Sequence, residues 1–265
     1  MGYAIFVALG FVTLLPIFWM VSTSLKPLSE AMSTPIQWIP FPPRWDNYPA
    51  AMQRFAFVRY TLNTVFISVA HTVLTVVLSA FAGYSLAKFR YFGQRVIFIA
   101  ILSTLMLPIE VLMVPTFLVV KQLGWLNTYQ GIIVPELATA FGIFLMRQYM
   151  QHIPDALVEA ARIDGASELR TFFSLIMPLS WPAVLTLTIL TFRSSWDSFV
   201  WPYLVTTDDN LRTLPLGIQL FQQQYYTDYS QVMAISTIAF IPLVVMFAVF
   251  QRGFIQGVAL SGIKE

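Results

Sequence analysis

The sequence predicts an all-helical (all-α) membrane protein with six transmembrane helices, and three observations carry that reading. Of the 265 residues, 57% are hydrophobic and 11% charged, with a mean hydropathy of +0.71, whereas a soluble chain has about 25% charged residues. The apolar residues fall in runs close to the roughly 20 needed to cross about 30 Å of hydrocarbon as helix. No ten-residue alternation of apolar and polar positions recurs, and without a closed barrel only helices satisfy every backbone group in lipid.

The runs can be taken in order. Gly2 to Leu25 carries no charge. It lacks the basic start and small-residue cleavage site of a signal peptide, so it reads as a membrane helix. Leu62 to Leu86 is also uncharged, with Asn63 and His71 expected to hydrogen-bond between helices. Val96 to Val120 holds Glu110 between Pro108 and Pro115, a combination that interrupts backbone bonding and is tolerated where backbone faces protein or a wet cavity. Gly131 to Met146 is shorter and holds Glu136, Leu179 to Val205 holds Arg193 and Asp197, and Val232 to Phe250 is uncharged. Trp19, Trp201 and Tyr203 read as an interfacial aromatic belt. The whole of residues 1–265 is expected to be one polytopic membrane domain with lipid around it.

Several function classes fall away. A formal net charge of +2 with scattered basic residues implies no nucleic-acid partner. Without cysteine there is no disulfide, thiol nucleophile or thiolate metal site, and two histidines, His71 and His152, make no histidine-rich metal site. No Gly-x-x-x-x-Gly-Lys-Ser/Thr phosphate loop occurs, and no set of catalytic residues is expected. The chain is read as non-enzymatic, with no cofactor bound.

With the N-terminus on the cytoplasmic side, the inner segments hold eight basic residues: Lys88, Arg90, Arg95, Arg147, Arg162, Arg170, Arg252 and Lys264. The longer outer segments hold six, and the bias has the sign of the positive-inside rule. Both termini are then cytoplasmic, as is a charged island in the loop over residues 150–178. Pro154 suits the start of a helix, Asp155 and Glu159 complement its dipole, Gly165 is a stop, and Ser167 can cap a second helix toward Pro178. Ala160, Ala161 and Gly165 are small enough for a partner to approach the backbone, while Glu159, Arg162 and Asp164 supply charge at the rim.

Glu159-Ala160-Ala161, Gly165 and Leu175-Ile176-Met177-Pro178 together resemble the coupling loop of permeases in binding-protein-dependent, ATP-driven importers. Leu123 to Tyr129, Phe144 to Tyr149, Arg212 to Gly217 and Phe254 to Gly257 resemble its carbohydrate branch, and the chain is similar to the six-span permease of maltose-type systems. The resemblance implies a type I ABC importer permease fold with a cytoplasmic coupling helix, and a core permease region over about residues 59–251. It implies that Glu159, Ala160, Ala161, Asp164 and Gly165 dock on an ATP-binding subunit. The implied partners are a second homologous permease, two ATP-binding subunits carrying ATP and Mg, and an extracytoplasmic substrate-binding protein, at a bacterial or archaeal inner membrane. The implied cargo is a di- or oligosaccharide, with glycerol phosphate or a glycerophosphodiester as the alternative. An ion-coupled secondary transporter is the alternative from another class.

Glu110, Arg193, Trp196 and Asp197 are candidates for the translocation path. Arg193 and Asp197, four residues apart, can equally pair on one helical face, and the carbohydrate pattern commonly has Trp-Asn where Trp196-Asp197 stands. The outer segment over residues 26–60 reads as an ordered, proline-stiffened excursion. In the outer loop over residues 206–231, Gln222, Gln223, Gln224, Tyr225 and Tyr226 either reach toward the binding protein, as the resemblance implies, or form an ordinary polar surface.

Overall fold

The computed structural model describes residues 2–224 and 228–262, among which there is no strand. Among the described residues, two helices are long and apolar enough to cross a membrane unbroken: Phe57–Lys88 and the Tyr229–Gln251 portion of the last helix. The first apolar run is α1 (Gly2–Ser24), and α2 (Phe57–Lys88) follows the outer segment. At 32 residues, α2 measures about 48 Å, longer than the hydrocarbon requires.

The third and fourth runs are each broken, where the sequence reading expects single spans, and the fifth divides into two helices at residues 197–199. α3 (Gln94–Ser103), extended by a tight turn to Met106, meets α4 (Ile109–Gln122) at 105°. Leu107 is extended there, with φ −86 and ψ 122, because the ring of Pro108 disfavours helical backbone in the residue before it. Pro115 sits inside α4 without ending it. α5 (Tyr129–Ile133), continued to Glu136, meets α6 (Ala140–Met150) at 50°. Thr139 restarts the helix there by accepting a hydrogen bond from the Gly142 amide at 3.2 Å. After α7 (Asp155–Ile163), the segment Glu168–Leu179 begins with α8 (Glu168–Thr171) and meets α9 (Trp181–Trp196) at 80° about Ser180, with Pro182 in the first turn of α9. Then come α10 (Val200–Val205), α11 (Leu214–Gln224) and α12 (Tyr229–Gly262).

The chain forms two compact units, residues 1–64 with 212–245 and residues 65–211 with 246–265. In the first, the outer excursion folds back on the end of α1. Asn47 Nδ2 donates to the carbonyls of Ser24 and Lys26, both at 2.9 Å. The Lys26 side chain is fully buried, its ammonium 4.0 Å from the centre of the Trp19 ring, and Trp19 meets Trp38 edge-on. The described part of the loop over residues 206–231 is largely helical, and the Leu214 amide at the start of α11 donates to Thr64 Oγ1 at 2.7 Å. A Cβ at Gly217 would lie 2.4 Å from the Tyr60 ring, which is why α11 approaches so closely there.

In the second unit, Val76, Ala80 and Tyr84 of α2 pack with Met146, Met150, Val158, Phe172 and Leu187. A Cβ at Gly83 would lie 2.7 Å from Met146 Cβ, so glycine sets the spacing of α2 and α6. A second cluster gathers Ile67, Val120, Ile132, Ile133, Trp201 and Val205. Trp201 is thus buried rather than part of an interfacial belt, because the Gly131 carbonyl accepts its indole N–H at 3.2 Å. The resemblance segment Leu123 to Tyr129 is a structural corner: Asn127, at φ 56, accepts hydrogen bonds from the amides of Thr207 and Asp208.

Candidate functional site

The island becomes α7, a nine-residue helix that buries only Val158. Glu159, Ala160, Asp164 and Gly165 are exposed and Ala161 is half-buried. Ile163 is 86% exposed and Leu157 42%, so the helix presents apolar surface that this chain does not cover. Its end is a left-handed glycine cap. Gly165 has φ +76, its amide bonds the Arg162 carbonyl at 3.0 Å, and the Ala166 amide bonds the Ala161 carbonyl at 2.9 Å. A Cβ at Gly165 would meet no atom within 4 Å, so the space over the cap is open. Ser167 then caps α8, accepting from the Arg170 amide at 3.3 Å.

Charged side chains fix both ends of α7. Lys88, whose side chain is 2% exposed, donates to the Ile153 carbonyl and to Asp155 Oδ1, the latter at 2.6 Å. That hydrogen bond holds the Asp155 carboxyl below the usual carboxylate range, with the charge of Lys88 adding to it. At the other end Arg162 Nε donates to Glu168 Oε1 at 2.7 Å, and the Tyr84 hydroxyl donates to Glu168 Oε2 at 3.1 Å. Lys88 and Tyr84 are contributions the sequence reading missed, since 67 and 84 residues separate them from their partners.

α7 is thus an exposed helix with a glycine cap and uncovered apolar side chains, and comparison with known proteins gives the family of the chain. Residues 75–259 match the family described as binding-protein-dependent transport system inner membrane component. The chain belongs to this family. It is 32% identical to the arabinooligosaccharides transport system permease protein AraQ of Halalkalibacterium halodurans, over 98% of this chain and 94% of that one. It is 34% identical to the sn-glycerol-3-phosphate transport system permease protein UgpE of Yersinia pestis bv. Antiqua, over 88% and 86%. Among solved structures it is similar to a chain of a bacterial ABC transporter involved in the import of the acidic polysaccharide alginate, with a TM-score of 0.84, 26% identity and 96% of both chains covered. The chain is thus an ABC importer permease with the type I importer permease fold, in the inner membrane. Such a permease works with an ATPase and a substrate-binding protein.

The structure distributes the permease's other candidates unevenly. Arg193, Ser194 and Asp197 are exposed at the end of α9, and Arg193 Nε lies 3.7 Å from Asp197 Oδ2. Both path and pairing readings of this couple therefore keep support. Trp196 is 3% exposed and stacks on Phe192, with ring centroids 5.7 Å apart. Glu110 is exposed in the first turn of α4, where it complements the helix dipole. Gln222, Gln223 and Gln224 end α11, and their side chains, like Tyr225 and Tyr226 entirely, lie outside the described residues.

Proposed function

We propose that this permease forms half of the transmembrane pathway of an ATP-driven importer for a di- or oligosaccharide. α7 docks in a cleft of an ATP-binding subunit. Glu159, Ala160, Ala161, Asp164 and Gly165 form the docking surface, and ATP-driven closure of two such subunits switches the pathway between outward-facing and inward-facing states. The observation that carries this reading is the exposure of α7, with Ile163 86% exposed and open space over the left-handed cap. ATP and Mg are held by the partner subunits, hydrolysis occurs there, and this chain binds no cofactor. A second homologous permease supplies the other half of the path. The loop over residues 150–178 and both termini lie on the cytoplasmic side, in accord with the basic bias. Residues 222–226 contact the extracytoplasmic binding protein, and Glu110, Arg193, Trp196 and Asp197 line the path.

The sugar class rests on the similarity to AraQ. The similarity to UgpE, together with exposed Arg193, favours a second reading in which the cargo is a phosphate ester, because guanidinium pairs well with phosphate.

Gly165→Asp tests the docking. Aspartate is among the few residues that enter left-handed backbone readily, and the site has room, so the chain still folds. The added carboxylate blocks the partner's approach. Uptake by cells or proteoliposomes falls by about tenfold or more, a loss within the usual range of coupling between sites, while the permease remains in the membrane. Unimpaired uptake in Gly165→Asp and Glu159→Lys overturns the assignment.

A further inference from the structure

α7 is attached to the rest of its unit in an unusual way. Its one buried side chain is Val158, and a single apolar contact cannot fix the direction of a nine-residue helix. The direction is fixed by polar contacts at its two ends, Asp155 and Arg162, which are about 10 Å apart along the axis. Both attachments converge on one turn of α2. Lys88 takes Asp155 and the Ile153 carbonyl, and Tyr84, four residues earlier on the same face, takes Glu168, which holds Arg162. Lys88 is spent on these contacts, with its side chain 2% exposed, whereas Asp155 remains 68% exposed.

The polypeptide itself links α7 to α6 before it and, through the segment Glu168–Leu179, to α9 after it. That second link is bent: five residues, Phe172–Ile176, are wound as π-helix, with Phe172 buried against the rings of Phe81 and Tyr84 of α2, and the chain turns by 80° at Ser180 before α9 begins. Both the π-helical segment and the side-chain contacts of α7 therefore lead to α2, the latter to its turn Tyr84–Lys88 through hydrogen bonds of 2.6–3.1 Å.

We infer that Lys88, Tyr84 and Glu168 are positioning residues that transmit the movement of the docked helix to α2, making α2 the directly driven helix of this permease. The inference rests on the docking of α7 and adds to it the route inward. Lys88 and Glu168 hold the two ends of α7, and Tyr84 locks Glu168 in the orientation that receives Arg162. Val158 contributes packing but no direction.

The test uses the assembled transporter, with its partner permease, ATPase subunits and binding protein, in proteoliposomes. Labelled arabino-oligosaccharide and sn-glycerol-3-phosphate serve as probes, and the readout is solute moved per ATP hydrolysed. Lys88→Met and Tyr84→Phe should leave the ATPase subunits bound but lower this ratio by about fivefold or more, the lower end of coupling between sites. Lys88→Arg, which keeps the donors and the charge, should restore most of it. Val158→Ala should lower thermal stability and leave the ratio in place, which a merely structural role of the clamp would not produce. If Lys88→Met and Tyr84→Phe keep the wild-type ratio while Gly165→Asp abolishes uptake, the route through α2 is wrong and the docking of α7 stands. Loss of ATPase subunits on Tyr84→Phe would likewise overturn the route, because the hydroxyl would then serve assembly.

Discussion

Arg162 and Glu168 meet at 2.7 Å, with the Tyr84 hydroxyl as a third partner, whereas Arg193 and Asp197 stand 3.7 Å apart on one exposed face of α9. The side chains of the first pair are 42% and 45% exposed and those of the second 70% and 50%. Exposed pairs of this kind contribute about 0–1 kcal/mol, so stability explains neither. What separates them is restraint. The first is held by a third partner, the Tyr84 hydroxyl of α2. The second, at 3.7 Å, is short of a good hydrogen bond. The first arrangement suits the coupling proposed for α7, and the second suits the cargo contact proposed at the end of α9.

The largest effect expected from breaking this contrast comes at the restrained pair. Glu168→Lys sets like charges together beside Arg162 and removes the acceptor of Tyr84. Solute moved per ATP should fall by about tenfold or more, as coupling energies between sites allow, for every cargo alike. A loss confined to one cargo would erase the distinction between the two pairs. At the loose pair the effect should depend on the cargo. Arg193→Gln should cost about tenfold in uptake of sn-glycerol-3-phosphate, the value of a hydrogen bond to a charged group, and about twofold or less for a neutral oligosaccharide. Equal losses on both would return the pair to the role of a simple i, i+4 bridge.

The same contrast shows what could be read from the chain beforehand. The apolar runs and α7 were legible, because lipid demands long apolar stretches and because Pro154, Gly165 and Ser167 punctuate a helix by local chemistry. The break at Pro108 was half legible, since its cause is the proline itself. The break at Thr139 was not, because an ordinary threonine marks it and its capping role shows only in the fold, whereas the turn about Ser180 falls where the second helix was expected to run out toward Pro178. Tyr84 and Lys88 were hidden by sequence separation: in sequence they end an apolar helix, and only the fold brings Asp155 and Glu168 to them. Trp201 was misjudged for a related reason: a tryptophan near the end of a span belongs to an interface only if nothing covers it, and here the cluster around Ile132 and the Gly131 carbonyl does.

The smallest expected effect is that of pH, and it sharpens the account of restraint. The Asp155 carboxyl is held below its ordinary range, first by the hydrogen bond from Lys88 and then by its charge. A carboxyl depressed in the folded state strengthens the clamp at every pH above its unfolded value of about 3.9, and that contribution is lost only as pH falls through the lower folded value. Between pH 5 and pH 8 the N-terminal clamp should therefore stay ionised, and solute moved per ATP should not titrate through it. Asp155→Asn imitates the protonated form at neutral pH. It should lower the ratio by about twofold at most, in keeping with an exposed pair, because Lys88 keeps the Ile153 carbonyl. A measured midpoint between pH 5 and pH 8 that vanishes in Asp155→Asn would mean that the carboxyl is raised rather than lowered, and the grip of Lys88 on the start of α7 would have to be given up.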